Sequence, residues 1–204
     1  MSAPRPHDLL WGLPPTTLPT AAPAWVRQVL ASAQPVVVRR AATAEGRVAI
    51  GVRGEQRQQR FAWDMPQALI ARQVSPEALR WSGPGGLPAL RALVAVSPVL
   101  EDTGLAWGPT GGVGYQLASG AQVVHAASDL DLLLRTPEPL DRVRARALLA
   151  QLDSAPAHID VQLETPLGAV ALREWAGSAR RVLLKSALGA RLVMDPWDAG
   201  EQAA

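Results

Sequence analysis

The chain has 204 residues, room for one large or two small domains, and its 48% hydrophobic and 19% charged content marks a folded protein rather than a disordered one. Cysteine is absent, which excludes a disulfide framework, a thiolate nucleophile and a Cys-based zinc site. A net charge of +2 without basic runs argues against a dedicated nucleic-acid binder, and no stretch of about eighteen apolar residues offers a membrane span.

No charged-then-apolar leader opens the sequence, so a soluble cytoplasmic protein is the expectation. Of the twenty basic residues only Lys185 is a lysine, and seven Trp stand against one Tyr and one Phe. The segment Arg5 to Trp11 is short and partly polar, and Pro14, Pro15, Pro19 and Pro23 follow it. Ala24 to Ser32 has helical spacing, with Trp25 and Val29 on one face. Pro35 to Arg40 reads as a strand, and Gly46 to Arg53 as a second, with Val48, Ile50 and Val52 alternating. Gln56 to Ala62 is dense in Arg and Gln; if it is helical, Arg57 and Arg60 lie one turn apart. Gln67–Arg72 and Pro76–Trp81 look like short helices. The breaker cluster Ser82 to Gly86 marks an expected boundary between residues 1–84 and 85–204.

In the second half, a helix is expected from Leu87 or Pro88 to about Val96, closed by Pro98. Trp107 leads into the glycine-rich turn Gly108-Pro109-Thr110-Gly111-Gly112-Val113-Gly114. Val113–Ala118 and Ala121–His125 then flank Ser119-Gly120 as an expected hairpin. Ser128 to Arg135 is a strand in which Asp129 and Asp131 share one face, while Leu130 and Leu132 face a core. Pro139–Asp153 has the apolar stripe of a helix, His158–Thr165 alternates as a strand, Gly168–Leu172 is a short strand or loop, Glu174–Ala187 is expected as a helix, and Arg191–Met194 as a last strand. No internal repeat is present. This order predicts an α/β (α+β) architecture: a mixed sheet with helices, preceded by a smaller N-terminal α/β domain.

Two carboxylates on one face of an apolar strand repel each other and resist desolvation, a conflict that a hard divalent cation resolves. Mg²⁺ prefers a few carboxylates completed by substrate phosphates. The strand after the next helix carries Asp160 and Glu164 on one face, the place for a third carboxylate, and the upstream glycine turn leaves backbone N–H groups open to phosphate oxygens. Arg39, Arg40, Arg53, Arg57 and Arg60 form a second set, suited to bidentate contact with phosphates or to an acidic protein surface, or simply to a solvated face. His7-Asp8 reads as a structural pair or a catalytic one, His125 and His158 as strand-edge residues, Lys185 as a surface residue on a helix, and Trp107 and Trp175 as core.

The glycine turn, the Asp-x-Asp strand and the later acidic strand resemble the nucleotidyltransferase superfamily. Arg5–Trp11 (RPHDLLW), Trp107–Gly111 (WGPTG), Ser128–Leu132 (SDLDL), Asp160–Pro166 (DVQLETP), Ala171–Ala176 (ALREWA) and Asp195-Pro196-Trp197 resemble, more narrowly, the phosphoribosyl-dephospho-CoA transferase of malonate decarboxylase. That family performs prosthetic group attachment. It transfers the phosphoribosyl-dephospho-CoA group from 2′-(5″-triphosphoribosyl)-3′-dephospho-CoA to a serine of the apo acyl carrier protein subunit, releasing diphosphate. The resemblance implies Asp129 and Asp131 as catalytic aspartates and ligands of Mg²⁺ (or Mn²⁺), with Asp160 as ligand or base and Glu164 as fallback. Thr110, Gly111, Gly112, Arg53, Arg57 and Arg60 are the expected substrate contacts. Where the superfamily turn carries Ser, this chain has Gly112. Two other readings stay open: a nucleotide- or CoA-binding module without catalysis, and a nucleotidyltransferase with another acceptor.

Overall fold

The computed structural model describes residues 3–56, 58–83 and 86–200. Two sheets organise the chain. The first holds β1 (Leu9–Trp11), β2 (Val36–Val38), β3 (Arg47–Arg53), β4 (Arg60–Pro66) and β5 (Arg72–Val74) in the order β4-β3-β2-β1-β5, antiparallel throughout. Alternation along β3 sends Val48, Ile50 and Val52 into a core shared with Val26 and Leu30 of helix α1 (Ala24–Ala31). Gly51 and Arg53 are left on the opposite face. The second sheet has six strands in the order β11-β10-β9-β8-β7-β6: β6 (Trp107–Pro109), β7 (Leu130–Arg135), β8 (Ile159–Thr165), β9 (Gly168–Ala171), β10 (Val182–Ser186) and β11 (Gly189–Val193). Only β7 and β8 run parallel, so the sheet is mixed, and the crossover between them is helix α4 (Arg142–Leu152). Asp141 caps that helix by accepting from Val143 N at 2.7 Å and Arg144 N at 3.2 Å. The protein is thus α/β of the α+β kind, as its sequence pattern predicts.

The core of the second half gathers Leu130, Leu132 and Leu134 of β7, Ile159, Val161 and Leu163 of β8, and Leu93, Val96 and Leu100 of helix α2 (Pro88–Glu101). With one face of the sheet spent on that core, the other presents Asp131, Leu133 and Arg135 from β7 and Asp160, Gln162 and Glu164 from β8. Trp107 and Trp175 serve packing: Trp107 is buried in the core, and the Trp175 indole donates to Leu140 O at 2.7 Å.

Several local expectations are corrected. Of the expected helical segment Gln56–Ala62, Arg57 lies outside the described residues and Arg60–Ala62 belong to β4, with Arg53 and Arg60 as cross-strand partners. Of the expected short helices, Gln67–Leu69 and Pro76–Ala78 are single 3₁₀ turns, and Arg72–Val74 instead pairs with β1. Pro98 does not close α2: the stripe Leu93, Val96, Leu100 stays in the core beyond it, and exposed Val94 contributes the carbonyl that loses its partner. Ser119-Gly120 is not a hairpin turn. Gly111–Ser119 forms helix α3, and Gly120, at φ 76°, is its left-handed C-cap. The expected helix Glu174–Ala187 is short helix α5 (Leu172–Ala176) followed by β10, where Val182 and Leu184 are fully buried and Lys185 is exposed on a strand.

The two halves meet tightly at Gly108. A Cβ built there would lie 1.9 Å from Pro76 O, so β6 accepts the 3₁₀ turn against its bare backbone. Gly108→Ala should therefore cost at least about 2 kcal/mol of stability, read from the midpoint of denaturant unfolding.

Candidate active site

A cleft of about 530 Å³ opens between the sheets. Its floor is the parallel β7–β8 pair, whose register sets Asp131 directly beside Asp160. Neighbouring strands lie about 4.8 Å apart, so two side chains on the same face at paired positions stand within reach of one ion. Asp131 is half-buried, and burial, then Asp160, then Asp129 push its carboxyl above the usual carboxylate range, against the pull of Arg53 and Arg60. Asp129 lies just before β7 and is exposed. Asp160 is 59% exposed, and His158 Nε2 stands 3.3 Å from its Oδ1. Among the described residues no three carboxylate, imidazole or thiol groups converge into a ready-made metal cage. The aspartates therefore form a close pair with Asp129 at its edge.

Gly111 and Gly112 have different physical reasons to be glycine. Gly111 has φ 55°, and a Cβ there would fall 1.8 Å from Asp131 Oδ2. The Asp131 carboxylate thus lies where a side chain would be, against the first residue of α3. Thr110 N donates to Asp131 O at 2.8 Å and fastens the same turn to the strand. At Gly112 a Cβ would meet only the terminal nitrogens of Arg53, at 3.7 Å. That position has space for the serine of the superfamily pattern.

The N-terminal sheet supplies the opposite wall. Arg53 and Arg60, paired across the β3–β4 hairpin, line the cleft, as does Arg39. Burial, and then Arg60, lower the pKa of the Arg53 guanidinium. Arg40 points elsewhere: it is ion-paired with Glu164. Arg57 lies outside the described residues. Of the residues expected to contact substrate, Thr110, Gly111, Arg53 and Arg60 line the cleft together with Asp131 and Asp160, and Gly112 adjoins Arg53.

Glu164 is four residues along β8 from Asp160 and buried, in ionic contact with Arg40 and, at 3.8 Å, with Arg135 NH1. Arg135 Nε also donates to Glu77 Oε1 at 2.7 Å, and Glu77 receives Arg5 NH2 at 3.0 Å. Glu164 is thereby committed to the contact between the two halves and is not free to serve as a spare catalytic carboxylate. Lys185 takes no part in the cleft.

Two polar cleft residues, Gln162 and Tyr115, were not singled out by sequence reasoning, whereas Arg39 and His7 were weighed there and both line the cleft. Gln162 could have been found, since it shares the Asp160 face by simple alternation. His7 and Asp8 divide their work rather than pairing. Asp8 is fully buried and accepts from Arg5 N at 2.9 Å and Gln73 Nε2 at 2.8 Å, while His7 faces the cleft. Burial, then the Arg40 charge, push the His7 imidazole down to about 4. The Tyr115 hydroxyl donates to Pro35 O at 3.4 Å across the two halves, and burial pushes its pKa up to about 12.

Two measurements follow from this geometry. Gly111→Ala should lose about 2 kcal/mol or more in denaturant unfolding, through steric conflict with Asp131 and strain at positive φ, whereas Gly112→Ser should be neutral within about 0.5 kcal/mol. Because His7 is held neutral with a pKa lowered from 6.5 to about 4, the unfolded chain takes up a proton in that window that the folded protein refuses. Its stability contribution is intact above pH 6.5 and is lost as pH falls toward 4, up to about 3 kcal/mol. The difference in unfolding free energy between the wild type and His7→Asn should change by that order between pH 7.5 and pH 4, to the disadvantage of the wild type in acid.

Comparison with known proteins agrees with the two-sheet division. Residues 5–76 match the family model described as phosphoribosyl-dephospho-CoA transferase MdcG N-terminal domain, and residues 78–196 match the corresponding C-terminal domain. A phosphoribosyl-dephospho-CoA transferase of Pseudomonas putida (strain W619) is 66% identical over 204 residues, covering all of both chains. Relatives of the same name from Azotobacter vinelandii (56% over 200 residues, 95% of this chain and 94% of the relative) and Pseudomonas aeruginosa (52% over 203 residues, 98% and 97%) are also similar. No solved structure matches the chain. The protein is a transferase enzyme, and the chain belongs to the phosphoribosyl-dephospho-CoA transferase family.

Proposed function

We propose that this enzyme moves the phosphoribosyl-dephospho-CoA group from 2′-(5″-triphosphoribosyl)-3′-dephospho-CoA to a serine hydroxyl of the apo acyl carrier subunit of malonate decarboxylase, releasing diphosphate. The observation that carries this reading is the register of β7 on β8, which sets Asp131 beside Asp160 at the floor of a cleft whose far wall is arginine. A carboxylate pair facing guanidinium groups suits a substrate that is polyanionic at one end and reacts at phosphorus.

The donor set fits Mg²⁺, or Mn²⁺ in its place. The raised pKa of Asp131 has Asp160 and Asp129 among its causes, and such repulsion is relieved by a cation held between them. Two carboxylates with a third nearby match the preference of Mg²⁺ for a few protein oxygens completed by phosphates. Asp131 and Asp160, with Asp129 nearby, would hold the ion, which would supply neutralisation of the charge on the leaving diphosphate. The protein's own groups do the rest. Asp131 and Asp160, with Asp129 at the edge, fix the reacting end of the substrate. Arg53 and Arg60 fork onto phosphate oxygens from the opposite wall. Thr110 and the open N–H groups of Gly111 and Gly112, at the start of α3, hold the phosphates without side-chain obstruction. No helix among the described residues is long and apolar enough to cross a membrane; a cytoplasmic location is part of this proposal.

Incubation with Mg²⁺, the triphosphate substrate and the apo carrier subunit tests the assignment. Diphosphate should appear in step with a carrier mass gain equal to one phosphoribosyl-dephospho-CoA group. Asp131→Asn should lower that rate at least about 100-fold while raising the thermal midpoint, because it removes a buried, mutually repelled charge. Transfer at full rate by Asp131→Asn would refute the metal-site reading.

A further inference from the structure

We infer that His7 is a catalytic residue of this cleft, the group that accepts the proton of the attacking serine hydroxyl. The inference rests on the transfer reading above. It starts from the backbone. Asp8 N donates to Arg5 O at 3.0 Å, closing a four-residue turn with Pro6 and His7 at its centre. His7 has φ 74°, so the turn has the proline and the left-handed third position of a type II turn, where glycine or asparagine is the ordinary occupant. Among the described residues only Ala33 is another non-glycine at positive φ, and it follows the C-cap of α1, where left-handed residues are common. His7 ends no helix. A side chain held in that conformation is strained. A glycine would remove the strain, so the imidazole must be what the position supplies.

The turn is aimed, not loose. His7 N donates to Val38 O at 3.0 Å, at the end of β2, and this puts the ring into the cleft. There it lines the cleft together with Gln162, which sits on the same face of β8 as Asp160, two residues on. Two residues of strand span about 7 Å, the distance that a substrate phosphoryl group and an incoming hydroxyl together would fill. Behind the ring, His7 Nε2 stands 3.9 Å from Glu164 Oε1. A titratable ring set in the cleft wall, on the side of the Asp160 face, has the placement that general-base catalysis needs.

Charge supports the same role. Burial, Arg40 and Arg135 keep the free ring neutral, so its lone pair is available at any physiological pH. A bound polyphosphate brings negative charge beside it and raises its basicity in the complex, when a base is wanted. In the step itself the serine oxygen bonds to the phosphorus nearest the ribose. The bond from that phosphorus to the bridging oxygen breaks, and its electron pair leaves with diphosphate. The serine proton passes to the imidazole ring and is then lost to solvent.

The test uses the full chain with Mg²⁺, the triphosphate substrate and apo carrier. His7→Gly removes the ring and the backbone strain together, and His7→Asn keeps a polar group that tolerates positive φ. Both should fold with thermal midpoints at or above wild type at pH 7.5. Both should lose about 100- to 10,000-fold in kcat with KM for the triphosphate substrate within about threefold. Added imidazole should restore part of the His7→Gly rate and none of the Asp131→Asn rate. A wild-type kcat in either variant, or a loss confined to KM, overturns the role of His7 while leaving the transfer reading standing. Failure of the wild type itself to modify the carrier would remove the transfer reading and this inference with it. If both variants were destabilised and imidazole restored no rate, His7 would be structural and the inference wrong.

Discussion

One parallel strand pairing holds the site together. β7 and β8 are neighbours only because α4 carries the chain back over the sheet, and their register sets Asp131 against Asp160 and Arg135 against Glu164. Strand side chains alternate, so a slip of one residue would bury the charged set among Leu132, Val161 and Leu163 and expose the leucines. The core that specifies the register and the carboxylates that use it are thus two faces of the same strands. The hydrophobic effect fixes the position of groups that would otherwise repel each other.

The N-terminal half completes the cleft, and its arginines divide into two jobs. Arg39, Arg53 and Arg60 face the opening, whereas Arg40, one residue from Arg39, points the other way and neutralises Glu164. Buried ion pairs are poor sources of net stability, because desolvation offsets most of the attraction. They are costly to break one partner at a time, however. The cluster of Arg5, Arg40 and Arg135 with Glu77 and Glu164 therefore discriminates against misplaced arrangements of the two halves more than it strengthens the right one. Orientation matters here because the cleft's acidic floor and basic wall come from different sheets.

Features carried by strict alternation were legible in the sequence. The β3 strand, the Asp131 face and the Asp160 face all follow from period two, and they brought most of the cleft into view. What was not legible depended on partners distant in the chain. Arg53 and Arg60 are adjacent through hairpin register rather than helical spacing, and nothing local in the Arg- and Gln-rich segment distinguishes the two. Residues 174–187 carry good helix formers, but Val182 and Leu184 find a place in the sheet core and override that preference. Glu164 looked like a reserve carboxylate because its pairing with Arg40 spans 124 residues. His7 was readable only as half of an ambiguous His7-Asp8 pair, because the backbone angle that sets it apart from Asp8 has no local signature.

The glycine turn is where sequence pattern and structure differ most instructively. Read as a phosphate cradle lacking a superfamily serine, Gly111-Gly112 suggests a degraded motif. Read with its neighbours, the first glycine is required by Asp131, whose carboxylate occupies the space of the missing Cβ, and the second is spacious. The turn begins α3 rather than a hairpin, so its free N–H groups point along a helix axis toward the aspartate end of β7. A serine hydroxyl at Gly112 would add one donor to a site already flanked by Arg53. The glycine at 112 thus leaves the placement of the Asp131 carboxylate against Gly111 untouched.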